Sequence, residues 1–156
     1  MGGIWLIYEI MKPASSLIHP SMWLPESAIQ YDQTSDQVKI DLSSLNIQFS
    51  QPPIITLGTY ADTHSMSPVI EAGYTGIAVQ GASPADQKLL LDHLSPGDIA
   101  TYYNTEVKTW IIHRIIRICQ TPMGRIWVFK GDNNDSDDGV LIYDSNIQSV
   151  LVGIIY

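Results

Sequence analysis

Cysteine is nearly absent from this 156-residue chain: Cys119 is the only one. A single thiol excludes an internal disulfide framework and any zinc site built on several thiolates. Basic side chains are also scarce, 8 Lys and Arg against 16 Asp and Glu, for a net charge of −8. A protein that grips a phosphate backbone needs a basic face, so nucleic acid is not expected as a partner. Long apolar runs are missing too. Ile4 to Met11 is interrupted by Glu9, and Ser149 to Tyr156 is equally short. Spanning a bilayer takes about 20 mostly apolar residues, so no integral membrane anchor is expected. A secretory signal places positive charge before its apolar stretch, whereas the first lysine here, Lys12, comes after it. These absences read as a soluble protein, cytoplasmic rather than secreted, with residues 4 to 11 as a buried strand or helix. What is present is globular: 45% hydrophobic and 15% charged residues, about one domain's worth of chain.

Residues 1 to 50 form an N-terminal segment without a recognisable pattern, broken by Pro13, Pro20 and Pro25 and expected to pack on the core. Within it Val38, Ile40 and Leu42 alternate with polar neighbours, which predicts a half-buried strand. Asn46 to Phe49 reads as a second short strand and Ile54 to Tyr60 as a third. Only one stretch has helical signals: Ser83 can cap, Pro84 suits the first helical position, and Asp86 falls in the first turn. Leu89, Leu90, Leu91 and Leu94 give it an apolar stripe, and Pro96-Gly97 stops it. Further strands are predicted over 99–103, 107–118, 125–129 and 150–155. The Asp- and Asn-rich stretch from Asp132 to Gly139 can only be a loop. Many short strands with one short helix predict a mainly β fold, a barrel or a sandwich.

Four short motifs stand out. The first is Thr63-His64-Ser65-Met66-Ser67-Pro68, which by composition is simply a turn; Ser21-Met22-Trp23-Leu24-Pro25 nearly copies it. The second is Ser95-Pro96-Gly97-Asp98-Ile99, a turn feeding a strand. The third is Ile111-Ile112-His113-Arg114-Ile115-Ile116. On a strand His113 shares a face with Ile111 and Ile115, while Arg114 faces the other way. An imidazole set among isoleucines is either a core histidine with a satisfied hydrogen bond or a general base. The fourth runs from Lys130-Gly131-Asp132-Asn133-Asn134 to Asp138-Gly139. It fails as a calcium loop, because counting from Asp132 no glycine falls at position six and Tyr143 stands where the closing glutamate belongs.

Taken together and in this order, the four motifs resemble the signal peptidase I superfamily, in its archaeal and endoplasmic-reticulum branch. That branch combines a Ser-Met-x-Pro box, a Gly-Asp strand box, an aliphatic-His-Arg-aliphatic strand and a Lys-Gly-Asp-Asn box. The resemblance covers about the last hundred residues. It implies a signal-peptidase-like or repressor-peptidase-like barrel or sandwich over 51–156, with an insertion near 71–94 carrying the predicted helix. It further implies a serine endopeptidase that needs neither metal nor cofactor and cuts a peptide or protein substrate after small residues. Ser65 is then the nucleophile, His113 its general base, and Asp138 the carboxylate that orients the histidine, with Asp135 and Asp137 close by in the same loop. Asp132 matches a supporting aspartate of the box. The oxyanion and substrate-binding positions are Thr63, Ser65 and Met66.

The chain also departs from the family. The membrane helix that precedes the serine box in relatives is not found, and His64 stands where relatives carry a small residue, commonly glycine. Two other readings remain open. One is a self-cleaving Ser/Lys peptidase, with Lys108 as base and Ala72-Gly73 as a site of scission. The other is a non-catalytic binding or structural protein that keeps the fold.

Overall fold

The structure, a computed structural model, describes residues 19–155; the expectation for residues 4 to 11 lies outside the described residues. The first described strands form a small hairpin, β1 (Ile29–Asp32) with β2 (Gln37–Ile40). The rest of the chain supplies β3 (Ile54–Thr59), β4 (Thr75–Gln80), the helix α1 (Pro84–Asp92), β5 (Ile99–Asn104), β6 (Thr109–Thr121), β7 (Gly124–Lys130) and β8 (Ile147–Ile155). Six of these strands join in one antiparallel sheet in the order β3-β4-β8-β5-β6-β7. The fold is therefore mainly β, as expected. The sheet does not close into a barrel: β3 and β7 each have one strand partner among the described residues and remain edges.

Alternation in the strands produces two apolar layers. One face carries Ile77, Val79, Ala100, Tyr102, Ile115, Phe129 and Val150, packed with Leu90 and Leu91 of α1. The other face carries Ile99, Leu151 and Ile154, covered by Trp23, Met66, Val69 and Ile70. Helix α1 begins as its sequence predicts: the Asp86 N–H donates to the Ser83 hydroxyl at 3.1 Å, and Pro84 occupies the first position.

Two expectations are corrected. Residues 46–49 form no strand, because a 3-10 turn at Ser43–Leu45 ends on Asn46 in the left-handed region at φ +55°, which turns the chain. Ile47 and Phe49 still pack on the core without a ladder. The second concerns 71–94. Part of this stretch, β4, lies inside the sheet between β3 and β8, with Ile77 and Val79 fully buried. The pattern of this strand is weak, with Gly76 at its second position, beside the stronger capping and periodicity signals of α1.

This arrangement positions the four motifs. β6 lies between β5 and β7, with His113 opposite Ala100 of β5. The loop 60–74 joins β3 to β4, and the loop 131–139 leaves the end of β7.

Candidate active site

The serine loop is held from beneath. Met66, Val69 and Ile70 are buried against Ile99 and Leu151 of the sheet, and the Val69 and Ile70 N–H groups donate to the Met66 carbonyl at 2.9 and 3.0 Å. Ser65 is left half-buried at the groove surface. His64, just before it, has φ +59°, a conformation that glycine adopts without penalty. Its ring turns away to Asp62, at 3.0 Å, and toward Glu71, at 3.8 Å.

His113 projects from β6 toward this loop, buried at 7% exposure. Its Nε2 lies 3.1 Å from the Ser65 hydroxyl oxygen. Its Nδ1 lies 2.7 and 2.9 Å from the two oxygens of Asp138. A carboxylate can only accept, so Asp138 holds the proton on Nδ1 and leaves Nε2 as the acceptor for the serine O–H. Asp138 accepts a second hydrogen bond, from the Tyr102 hydroxyl on β5. Its own N–H donates to the Phe129 carbonyl at 2.8 Å, tying the loop to β7. Asp138 is the aspartate of this loop whose carboxylate meets His113. Asp135 and Asp137 are exposed, and the Asp137 carboxylate accepts from the Gly139 N–H instead.

Asp132 does not share the histidine. It sits under the sheet's other face, where the Arg114 Nε and Nη2 donate to its two oxygens at 2.8 Å each. Its N–H donates to the Met66 sulfur at 3.4 Å. Met66 is correspondingly an anchor, buried at 3% exposure, whose exposed fraction lines the groove. The next residue, Asn133, donates its N–H to the Ser65 carbonyl at 2.9 Å. Gly131 permits this approach, since a Cβ there would stand 2.7 Å from the Ser65 carbonyl oxygen. Arg114 also reaches the Gly97 carbonyl at 2.8 Å. Asp98, fully buried, accepts from the Ser95 N–H, the Ser21 hydroxyl and the Met22 N–H at 2.8–3.0 Å. The four motifs thus form one connected set: the fourth pins the first, and the third is braced by the second.

Thr63 stands on the other side of Ser65. Its hydroxyl is 3.2 Å from the serine oxygen and 3.5 Å from the Ser65 N–H nitrogen. Ser65 and His113 open onto a groove of about 630 Å³ walled by Tyr60, Ile70, Ala72, Trp110 and Ile112. Among the described residues neither a carboxylate nor a lysine or arginine lines it. Burial raises the ionisation of both Tyr60 and Tyr102 well above the ordinary phenol value; at Tyr102 the bond to Asp138 adds to the effect. Both phenols therefore remain neutral donors. Lys108 is exposed in the turn before β6. Among the described residues no group of three or more His, Cys, Asp or Glu side chains could hold a metal ion. Among them, too, no helix is long and apolar enough to cross a membrane.

Sequence reasoning did not find Tyr102 or the pairing of Arg114 with Asp132. Both partnerships join residues far apart in the chain, and neither has a local signature. No family model, no curated protein and no solved structure matches this chain. Chemically, a serine hydroxyl bonded to an imidazole that is itself held by a buried carboxylate can attack an electrophilic carbonyl carbon.

Proposed function

We propose that the chain is a serine endopeptidase that resembles the archaeal and endoplasmic-reticulum branch of the signal peptidase I superfamily. The observation that carries this reading is the 3.1 Å separation between the Ser65 oxygen and His113 Nε2. The two residues lie 48 positions apart in the chain. His113 takes the serine proton as Ser65 attacks the scissile carbonyl, then delivers it to the departing amine. Water, deprotonated by the same imidazole, releases the acyl group from Ser65 and restores the site. In this reading the donors for the tetrahedral oxyanion are the Thr63 hydroxyl, 3.2 Å from the serine oxygen, and the Ser65 N–H, which turns from the Thr63 oxygen to the substrate. Donors so placed contribute about 3–4 kcal/mol to lowering such a barrier. A groove whose described walls carry no carboxylate, lysine or arginine suits uncharged side chains around the cut, and the small residues preferred by relatives fit that description.

The reading of Lys108 as base finds no support, since an imidazole already occupies the position beside the serine. In the decisive experiment, peptides with small residues at the cut are incubated with the protein and with the Ser65→Ala and His113→Ala variants, and the products are weighed by mass spectrometry. Each variant is expected to lose at least about a thousandfold in kcat/KM while keeping its circular dichroism spectrum. Undiminished cleavage by either one removes that residue from the chemistry.

A further inference from the structure

Two groups, His113 and Tyr102, make three contacts with the Asp138 carboxylate. Two of its contacts come from His113, as the resemblance implies, but the third, from the Tyr102 hydroxyl, belongs to no motif. The position of Tyr102 follows from sheet register. Ala100 of β5 faces His113 of β6, and Tyr102 faces Ile111, so Tyr102 lies diagonally beside the histidine on one face of the sheet. The ring is fully buried and packs on Phe129, with centroids 4.6 Å apart. Phenylalanine would fill that space equally well, so packing alone does not require the hydroxyl. Asp138 needs it. The side chain is 9% exposed. A carboxylate so buried costs free energy unless donors surround it. His113 supplies one donor, and water has little access to supply another.

We propose that Tyr102 is a positioning residue of the site. By donating to Asp138 it fixes which carboxylate of the acidic loop meets His113, and in what orientation, so that Ser65, His113, Asp138 and Tyr102 work as one hydrogen-bonded chain. The loop carries four aspartates, at 132, 135, 137 and 138. Asp132 is claimed by Arg114, while 135 and 137 are exposed. The Asp138 N–H bond to the Phe129 carbonyl holds its backbone, and the Tyr102 hydroxyl holds its carboxylate. Burial, with the bond to Asp138, keeps the phenol protonated, so it remains a donor at neutral pH. Tyr102 does not touch substrate; its effect passes through Asp138 to the tautomer and orientation of His113.

This inference rests on the peptidase reading for its kinetic arm but not for its spectroscopic one. In Tyr102→Phe, kcat for a cleaved peptide is expected to fall about tenfold with KM unchanged within about twofold, as suits loss of one hydrogen bond to a charged group. In the substrate-free protein, the proton NMR signal of His113 Nδ1–H is expected to move or broaden, with the thermal transition retained. Asp138→Asn supplies a second variant that leaves the phenol in place. Adding Tyr102→Phe to it is expected to change the signal and kcat no further, because the two act in one chain. An unaltered Nδ1–H signal in Tyr102→Phe, or fully additive effects in the double variant, overturns the proposal. If no peptide is cleaved by the unaltered protein while the Nδ1–H signal responds as stated, the peptidase reading falls and the role of Tyr102 stands.

Discussion

His64 holds its backbone at φ +59° directly before Ser65, and its ring is directed to Asp62 and Glu71. For an L residue this region costs about 1–2 kcal/mol. Relatives of the family it resembles commonly carry glycine at this point, and the torsion gives the physical reason. His64→Gly is therefore expected to raise stability by about 0.5 kcal/mol, net of glycine's greater unfolded-state entropy, and to leave cleavage intact. Urea unfolding and the peptide assay check the two halves of that expectation. A large loss of cleavage would instead place the imidazole in the chemistry. Gly131 makes the complementary point. Here the side chain is missing because the Ser65 carbonyl occupies its space.

At the scale of elements, β6 presents two different chemistries from adjacent residues, because successive side chains of a strand point to opposite faces. His113 serves the groove, and Arg114 ties β6 to the loop after β7 through Asp132. That pair is almost wholly buried, at 5% and 2% side-chain exposure. Arg114→Met leaves the Asp132 carboxylate buried without its cation and is expected to cost about 3–5 kcal/mol in urea unfolding. The double variant Arg114→Met with Asp132→Leu is expected to recover much of that loss, because no buried charge is then left alone. If the single variant proves neutral, the pair does not brace the loop.

The helix is moored by a different charge. The backbone N–H of Ser50 first, then the Ser50 hydroxyl and the Gln51 N–H, hold the Asp86 carboxyl below its ordinary value of 3.8. A carboxyl depressed in the folded state adds stability that is fully present above its unfolded value. That stability is lost as pH falls through the lower folded value. Melting temperature should therefore fall on acidification below about pH 4, and Asp86→Asn should show a shallower fall over the same range. Equal slopes for the two proteins would mean that Asp86 makes no such contribution.

For the molecule as a whole, the open edge at β3 is the main consequence of the sheet's failure to close. All six of its residues are exposed, Ile54 and Leu57 by 46% and 50%. An apolar edge strand with one described partner is a template for pairing between copies. Leu57→Lys is expected to reduce self-association at high protein concentration, read by light scattering, with little change in melting temperature. An unchanged scattering profile would show that this edge does not mediate association.

Much of this architecture was legible one element at a time. Ser83, Pro84 and the leucines after them specified α1, because capping and periodicity are local. His113 and Arg114 declared opposite faces through the period-two rule alone. β4 was missed: a six-residue strand with glycine at its second position is a weak pattern, and only its neighbours β3 and β8 make it a strand. The partner of Asp132, Arg114, was not legible for a related reason. Asp132 and Asp138 lie six positions apart in one loop, and nothing in a loop's sequence says which face of a strand each carboxylate will reach.

The sequence by itself determined the residue types and their order: an alcohol, an imidazole and a cluster of carboxylates, set in short strands and turns whose local preferences are strong. The tertiary structure alone decided which of them meet. Ser65, Tyr102, His113 and Asp138 come from four separate segments, and their contacts depend on strand order and register, which arise from burying two apolar faces of one sheet rather than from any short stretch of chain.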